Sequence, residues 1–317
     1  MTDTAPTTTW SERIEPYIAV IAPLAMILAI LVFMGIAEPA RYFRATNLNL
    51  ILLDAALYMP MAMAMTFVIT QRGIDLSIGS IAALSGILMA FLIKQYGFSV
   101  YVAVLTDIGR GQIPGFIPIP VIIGIATMIA GFLLLRRTHF GRYTIAIGSN
   151  PEAAELTGIS VNRHKVYAYV LCGACAALGG VMLTGKLNAI QATSAPYFNL
   201  HVIAAVVVGG TSLFGGRASM IGSFAGVLLL SMMINALVTL RIEFFWQSVA
   251  SGVVIVSSVA LYAWIQKKDR DGTGGWLAAL KTPDGQTLLR FSAALLGLLI
   301  ALLALGGLFA GNPNPSG

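Results

Sequence analysis

The sequence predicts an all-α polytopic membrane protein with about nine transmembrane spans. Three observations predict it. Apolar residues make up 57% of the 317 positions and charged residues only 10%, whereas soluble domains carry about 25% charged residues. The apolar residues gather into runs of roughly 20, long enough to cross a ~30 Å hydrocarbon core. The net charge of +6 sits in a few of the intervals between those runs, as topology signals do. No basic stripe alternates with aromatic residues, so nucleic acid is not an expected partner.

The chain opens with a tail, residues 1–16, that carries Asp3, Glu12 and Glu15 and has no basic n-region. That is not a cleavable signal, and the first span is expected to stay as an anchor. Ile18 to Gly35 is that span, with Pro23 inside it; Glu38, Pro39, Arg41 and Arg44 form the loop after it. Leu48 to Thr70 is the second span and contains Asp54 and Pro60. A tight turn at Gln71-Arg72-Gly73 leads into Ile74 to Ile93, which begins with Asp75 and Ser77. Its Gly79, Ser80, Ser85 and Gly86 let neighbouring helices approach. Lys94 to Pro120 is short and irregular, with Pro114, Pro118 and Pro120, and Ile117 to Leu135 spans again.

Residues 136–165 form the longest polar interval between two strongly apolar runs. They carry Arg136, Arg137, Arg142, Arg163 and Lys165 against only Glu152 and Glu155, which places the interval on the cytoplasmic side. Ser149-Asn150-Pro151 followed by Glu152-Ala153-Ala154-Glu155-Leu156 reads as a helix start, with Ser149 or Asn150 as cap and Pro151 in the first turn. The two glutamates suit the positive end of the dipole, and Gly158 ends the helix. The result is a short helix lying flat inside the cell. Charge alone fits an ordinary positive-inside loop as well.

Val166 to Leu183 is the next span. Gly185 to Leu200 is polar but hardly charged and holds Asn188, Gln191, Thr193 and Pro196. Val202 to Thr211 is apolar but only half a span long, and a turn with Gly209, Gly210, Thr211, Gly215 and Gly216 follows it. Met220 to Leu240 and Ser248 to Trp264 are full spans, residues 265–291 are a basic cytoplasmic loop, and residues 292–317 supply a further helix and tail. Both basic loops face the cytoplasm, so an even number of crossings must lie between them. Val202–Thr211 is therefore expected to cross as a broken helix. The same parity puts the N-terminus inside and leaves Arg41 and Arg44 outside.

No enzyme constellation is present. His139, His164 and His201 are scattered, and no Gly-rich loop ends in Lys-Ser/Thr as a nucleotide loop must. Cys172 and Cys175 form a lone pair of thiols in an apolar helix, lacking the further ligands that zinc requires, and read as packing. The ionisable residues within spans are few: Asp54, Asp75 and Glu243. No basic residue stands at matching depth for Asp54, which argues against an ion-coupled carrier. Asp75 reads as a helix-terminal carboxylate or as the residue that orders its turn.

Three motifs carry a family resemblance. Glu152-Ala153-Ala154 with Gly158 resembles the EAA loop of ABC-importer permeases, and GRYTIAIGSNPEAAELTGISVNRHK around it resembles the ribose and xylose type. TQRGIDLSIGS at residues 70–80 and IAAVVVGGTSLFGGRAS at residues 203–219 resemble two further blocks of that family. The resemblance covers roughly residues 48–264 and implies a permease domain over residues 17–264. It implies a monosaccharide as solute, a pentose such as ribose or xylose first. It also implies a second permease copy, an ATPase subunit that holds ATP and magnesium, and a periplasmic sugar-binding protein. This chain then needs no cofactor or metal of its own. Glu152, Ala153, Ala154 and Gly158 become the ATPase-coupling residues.

A sugar path needs hydroxyls and amides without deep affinity. Asp75, Ser77, Asn188, Gln191, Thr193 and Asn235 are candidates for it, each also explained as glue between helices. Gly209, Gly210, Thr211, Gly215 and Gly216 read either as a gate or as a tight helix connection. The chain departs from the family in an interval after residue 93 that is short by about two spans. It departs again in Gln71-Arg72, where small residues are usual, and in the added C-terminal helix. The alternatives are a permease for another small polar solute, such as a nucleoside or a furanose-like signal, or a shortened paralogue that does not transport.

Overall fold

A computed structural model describes residues 10–96, 111, 118–187 and 195–242, with isolated positions at 247, 249, 252 and 253. Within the described residues every regular element is a helix: α1 (Trp10–Ala37), α2 (Pro39–Tyr42), α3 (Ala45–Thr70), α4 (Ile78–Tyr96), α5 (Ile119–Arg137), α6 (His139–Ser149), α7 (Pro151–Leu156), α8 (Val161–Leu187), α9 (Ala195–Val208) and α10 (Met220–Thr239). Four of these, α3, α5, α8 and α10, are long and apolar enough to cross a membrane; Pro23–Ala37, Ile78–Leu92 and Phe198–Val208 are shorter apolar stretches. Of the expected tail at 1–16, residues 10–16 belong to α1 and residues 1–9 lie outside the described residues, as do most of the interval 94–116, most of the Ser248–Trp264 span and everything after it.

Helix α3 is the centre. It packs against α5, α8, α9 and α10, while α4 lies along α8 and α1 along α10. Its lower two-thirds are buried on every side, and Met59, Met61, Met63 and Met65 fill the gaps between it and its neighbours. Unbranched, polarisable methionine suits such irregular space. The α9–α10 crossing is tighter still. A side chain at Gly222 would overlap the Gly209 carbonyl oxygen, so only glycine permits that approach. Cys172 and Cys175 are buried, unpaired thiols in the same core, as packing predicts.

Two sequence expectations are corrected. The segment expected to be helical from Ile74 starts its helix at Ile78, because residues 73–77 are held in an extended path described below. The ten-residue half span at Val202–Thr211 is a 14-residue helix, Ala195–Val208, which takes in the end of the interval expected to be a polar connection. At 1.5 Å per residue it measures ~21 Å, still short of the ~30 Å core.

Candidate functional site

Residues 139–156 fold as two helices, α6 and α7, of which the sequence reading found only the second. Thr138 caps α6, its hydroxyl accepting from Gly141 N–H. Asn150 caps α7, its Oδ1 accepting from Ala153 N–H at 3.1 Å, and Pro151 takes the first position. At the other end Ile159 N–H donates to Ala154 O and Gly158 N–H to Glu155 O, at 3.2 and 2.9 Å. Those two bonds with Gly158 at φ 85° make a Schellman stop, the left-handed ending expected for this glycine.

The four coupling residues do not share a face. Glu152, Ala153 and Gly158 are exposed, but Ala154 is 5% exposed and packs on Ile147, Val161 and Ile159. Ala154 pins α7 to its own chain, and of the four coupling candidates Glu152, Ala153 and Gly158 are left facing outward. Leu156, which sequence reasoning passed over, is 90% exposed. A leucine so exposed outside the spans is the outward apolar feature of α7.

A three-way junction lies beside α7. Gly216 N–H donates to Thr70 O, the last carbonyl of α3. Arg72 Nε donates to Gly148 O at 2.8 Å and its Nη2 to Ser149 O at 2.7 Å, closing the end of α6. The Gly-rich turn is thus tied to the ends of α3 and α6. Gly210, Gly215 and Gly216 take positive φ, and Thr211 and Ser212 are fully buried. Thr211 Oγ1 and Thr66 Oγ1 both meet Ser223 Oγ, at 3.4 and 2.9 Å. The turn is a packed, hydrogen-bonded connection where the ends of α3, α6 and α9 meet.

From this junction residues 73–77 climb without helical hydrogen bonds. Asp75 is buried and its Oδ1 accepts from Ser77 N–H at 2.8 Å and from Ser77 Oγ at 2.6 Å. It therefore orders the turn before α4 and does not sit inside the helix. Ile74 and Leu76, on the opposite side of the extended chain, are 53% and 65% exposed. Asn199 of α9 holds the upper end: its Oδ1 accepts from Gly79 N–H at 2.6 Å and its Nδ2 donates to Leu76 O at 2.7 Å. Asn199 stands nine residues before the end of α9, so the contact with Leu76 lies ~14 Å along α9 from the Gly-rich turn. Sequence reasoning missed Asn199; its signal was an amide inside the apolar run that ends at Val208.

The other polar candidates are placed differently. Asn235 and Asn47 exchange two amide hydrogen bonds, at 2.9 and 3.0 Å, between α10 and α3. Asp54 does have a basic partner, contrary to expectation: Lys186, at the end of α8, donates to its Oδ1. Asn188, Gln191, Thr193 and Glu243 lie outside the described residues.

The family described as "Branched-chain amino acid transport system / permease component" matches residues 108–259. The ribose import permease protein of Bacillus subtilis is 32% identical over 297 aligned positions, which take in 76% of this chain and 92% of that protein. The ribose import permease protein of Escherichia coli K12 is 30% identical, with 74% and 91% covered. The fructose import permease protein of Rhizobium meliloti is 29% identical, with 77% and 85% covered. The Bacillus alignment is longer than the 76% of the 317 residues that take part, so that relative carries residues with no counterpart here. No solved structure matches. The chain belongs to the permease family of the sugar-importing ABC transporters, as a membrane-spanning transport component and not an enzyme.

Proposed function

We propose that this chain is the inner-membrane translocation subunit for a monosaccharide, a pentose such as ribose or xylose first, working as a pair of copies around one pathway. A partner ATPase supplies the energy and a periplasmic binding protein delivers the sugar. The observation that carries the coupling part is the outward face of α7, where Leu156 at 90% exposure stands beside Ala153 and Glu152. An apolar knob on a rigid, doubly capped helix outside the spans fits a groove on a protein partner.

The extended segment 73–77 supports the pathway part. Non-helical backbone at membrane depth is tolerated only where protein or water satisfies it, never against lipid. Its inner side is bonded to Asn199 and Ser77, and its outer side carries Ile74 and Leu76. That outer side is therefore assigned to the pathway or to the second copy. Ribose, fructose and D-allose stand in the names of the relatives, which favours a monosaccharide over a nucleoside.

The test is reconstitution with the ATPase and the binding protein. The purified chain alone should hydrolyse no ATP, and the complex should hydrolyse more when the binding protein is loaded. Leu156→Asp and Ala153→Asp, both at exposed positions, should release the ATPase without loss of the folded permease. Retention of the ATPase by both variants would refute the docking face. Uptake of ribose, xylose, fructose and allose should be compared in the same vesicles. A complex that assembles, hydrolyses ATP and imports none of them would refute the monosaccharide reading and leave a permease for another small polar solute or the shortened paralogue.

A further inference from the structure

We propose that Arg72 is a positioning residue for energy coupling, whose guanidinium transmits displacement of the α6–α7 unit to the pathway segment 73–77. The inference rests on the reading of α7 as the ATPase contact and adds the link by which a push there reaches the membrane interior.

Arg72 belongs to both moving parts. Its backbone begins the extended path that Gly73 continues, and its side chain holds the last two carbonyls of α6, Gly148 O and Ser149 O. The next residue, Asn150, caps α7. Among the described residues these two bonds are the hydrogen bonds that join α6 and α7 to residues 71–77. A planar fork with two donors fixes the angle as well as the distance, which a single ammonium cannot do.

The backbone of Arg72 is held in a conformation that disfavours side chains. Its φ is 63°, in the left-handed region where a Cβ meets the following carbonyl. Glycine is the residue that this position favours for stability. An arginine kept there at a cost points to a use for its side chain. Gly215 makes room for it, since a side chain at Gly215 would come within 2.5 Å of Arg72 Cγ and 2.7 Å of Gly148 O. At the upper end the segment is stiff, because Asp75 binds Ser77 and Asn199 binds both Leu76 and Gly79. A shift of α6 therefore moves residues 73–77 as a strut instead of being absorbed by slack.

The experiment uses the full transporter, with its ATPase and binding protein, in proteoliposomes, and reads sugar imported per ATP hydrolysed. Arg72→Gly removes the fork and accepts the positive φ without strain, so folding is not its weak point. Arg72→Lys keeps the charge and loses the fork. Arg72→Gly should keep its bound ATPase and a melting midpoint within a few degrees of the parent's, because relief of the positive φ offsets the two lost bonds, while import per ATP falls by about tenfold, within the usual range of coupling between sites. Arg72→Lys should fall between the two. Parent-like import per ATP in Arg72→Gly would overturn the proposal. So would loss of the ATPase from that variant, because Arg72 would then only shape the docking surface. Leu156→Asp is the separate control: if it retains the ATPase, the reading of α7 fails, whatever Arg72→Gly shows.

Discussion

Gly148→Ala is the sharpest probe of the junction between α3, α6 and the Gly-rich turn. Gly148 lies one residue before the end of α6, where alanine is ordinarily the better helix former by about 0.5–1 kcal/mol. Here its methyl would overlap the Thr70 carbonyl oxygen and come within 2.5 Å of Gly216 N. Both neighbours are backbone, so neither can rotate away, and the ends of α3 and α6 must separate. Overpacking of this kind costs about 1–3 kcal/mol. The separation also stretches the Gly216 N–H···O Thr70 bond, worth about 1 kcal/mol, and the charge-assisted bonds of Arg72 to Gly148 O and Ser149 O, worth more. After the helix-propensity gain is set against these, a net loss of about 2–4 kcal/mol remains.

Two companion variants give the scale. At Gly35 a new Cβ would meet only Phe43 Cε2, at an ordinary 3.7 Å, so Gly35→Ala should be neutral or slightly stabilising. At Gly158 nothing lies within 4 Å, but φ is 85°, so Gly158→Ala should lose about 1 kcal/mol from conformation alone. Thermal midpoints of the purified permease in detergent should rank Gly35→Ala highest, then Gly158→Ala, then Gly148→Ala. A Gly148→Ala protein as stable as Gly158→Ala would refute the close approach on which the junction depends.

Other outcomes follow from pairs within the spans. The Asp54–Lys186 ion pair joins side chains 42% and 17% exposed, so a double-mutant cycle with Asp54→Asn and Lys186→Met should give a coupling of about 1 kcal/mol, between the surface and buried extremes; zero coupling in detergent melting would dissolve the pair. Asn235→Ala should lower stability by about 1 kcal/mol, as interhelical amide bonds do in membranes, and leave the ranking of imported sugars unchanged. A changed ranking would move Asn235 from the α3–α10 contact to the path.

The parts legible in the sequence were those fixed by local chemistry. Asn150-Pro151 and Gly158 bracket α7 because capping and the left-handed stop depend on residues within one helical turn. The long spans were legible for a similar reason, since a run of apolar residues states its own length. What failed depended on partners distant in the chain. Lys186 is 132 positions from Asp54, and only the packing of α8 on α3 brings them together. Ala154 is covered by Ile147 and Val161, which lie on the helices either side of it, a burial that the residues of α7 alone do not reveal.

The start of α4 shows why such errors gather near function. Ile74, Leu76 and Ile78 fit a helix as well as a strand by composition, and the apolar run from Ile74 gave no stop signal. The helix is delayed because Asp75 turns back to Ser77 and because Asn199, from a helix more than a hundred residues on, takes the Gly79 N–H and the Leu76 carbonyl. Local propensity alone would have let those groups bond within a longer helix, at no cost in a bilayer. The fold instead holds a non-helical segment between α3 and α4, with its backbone tied to Asn199, and fastens its lower end through an arginine in a disfavoured conformation. A chain that departs from its cheapest local structure at one end of a segment and is tied to the α6–α7 unit at the other has a segment suited to being moved, and residues 72–77 meet both conditions.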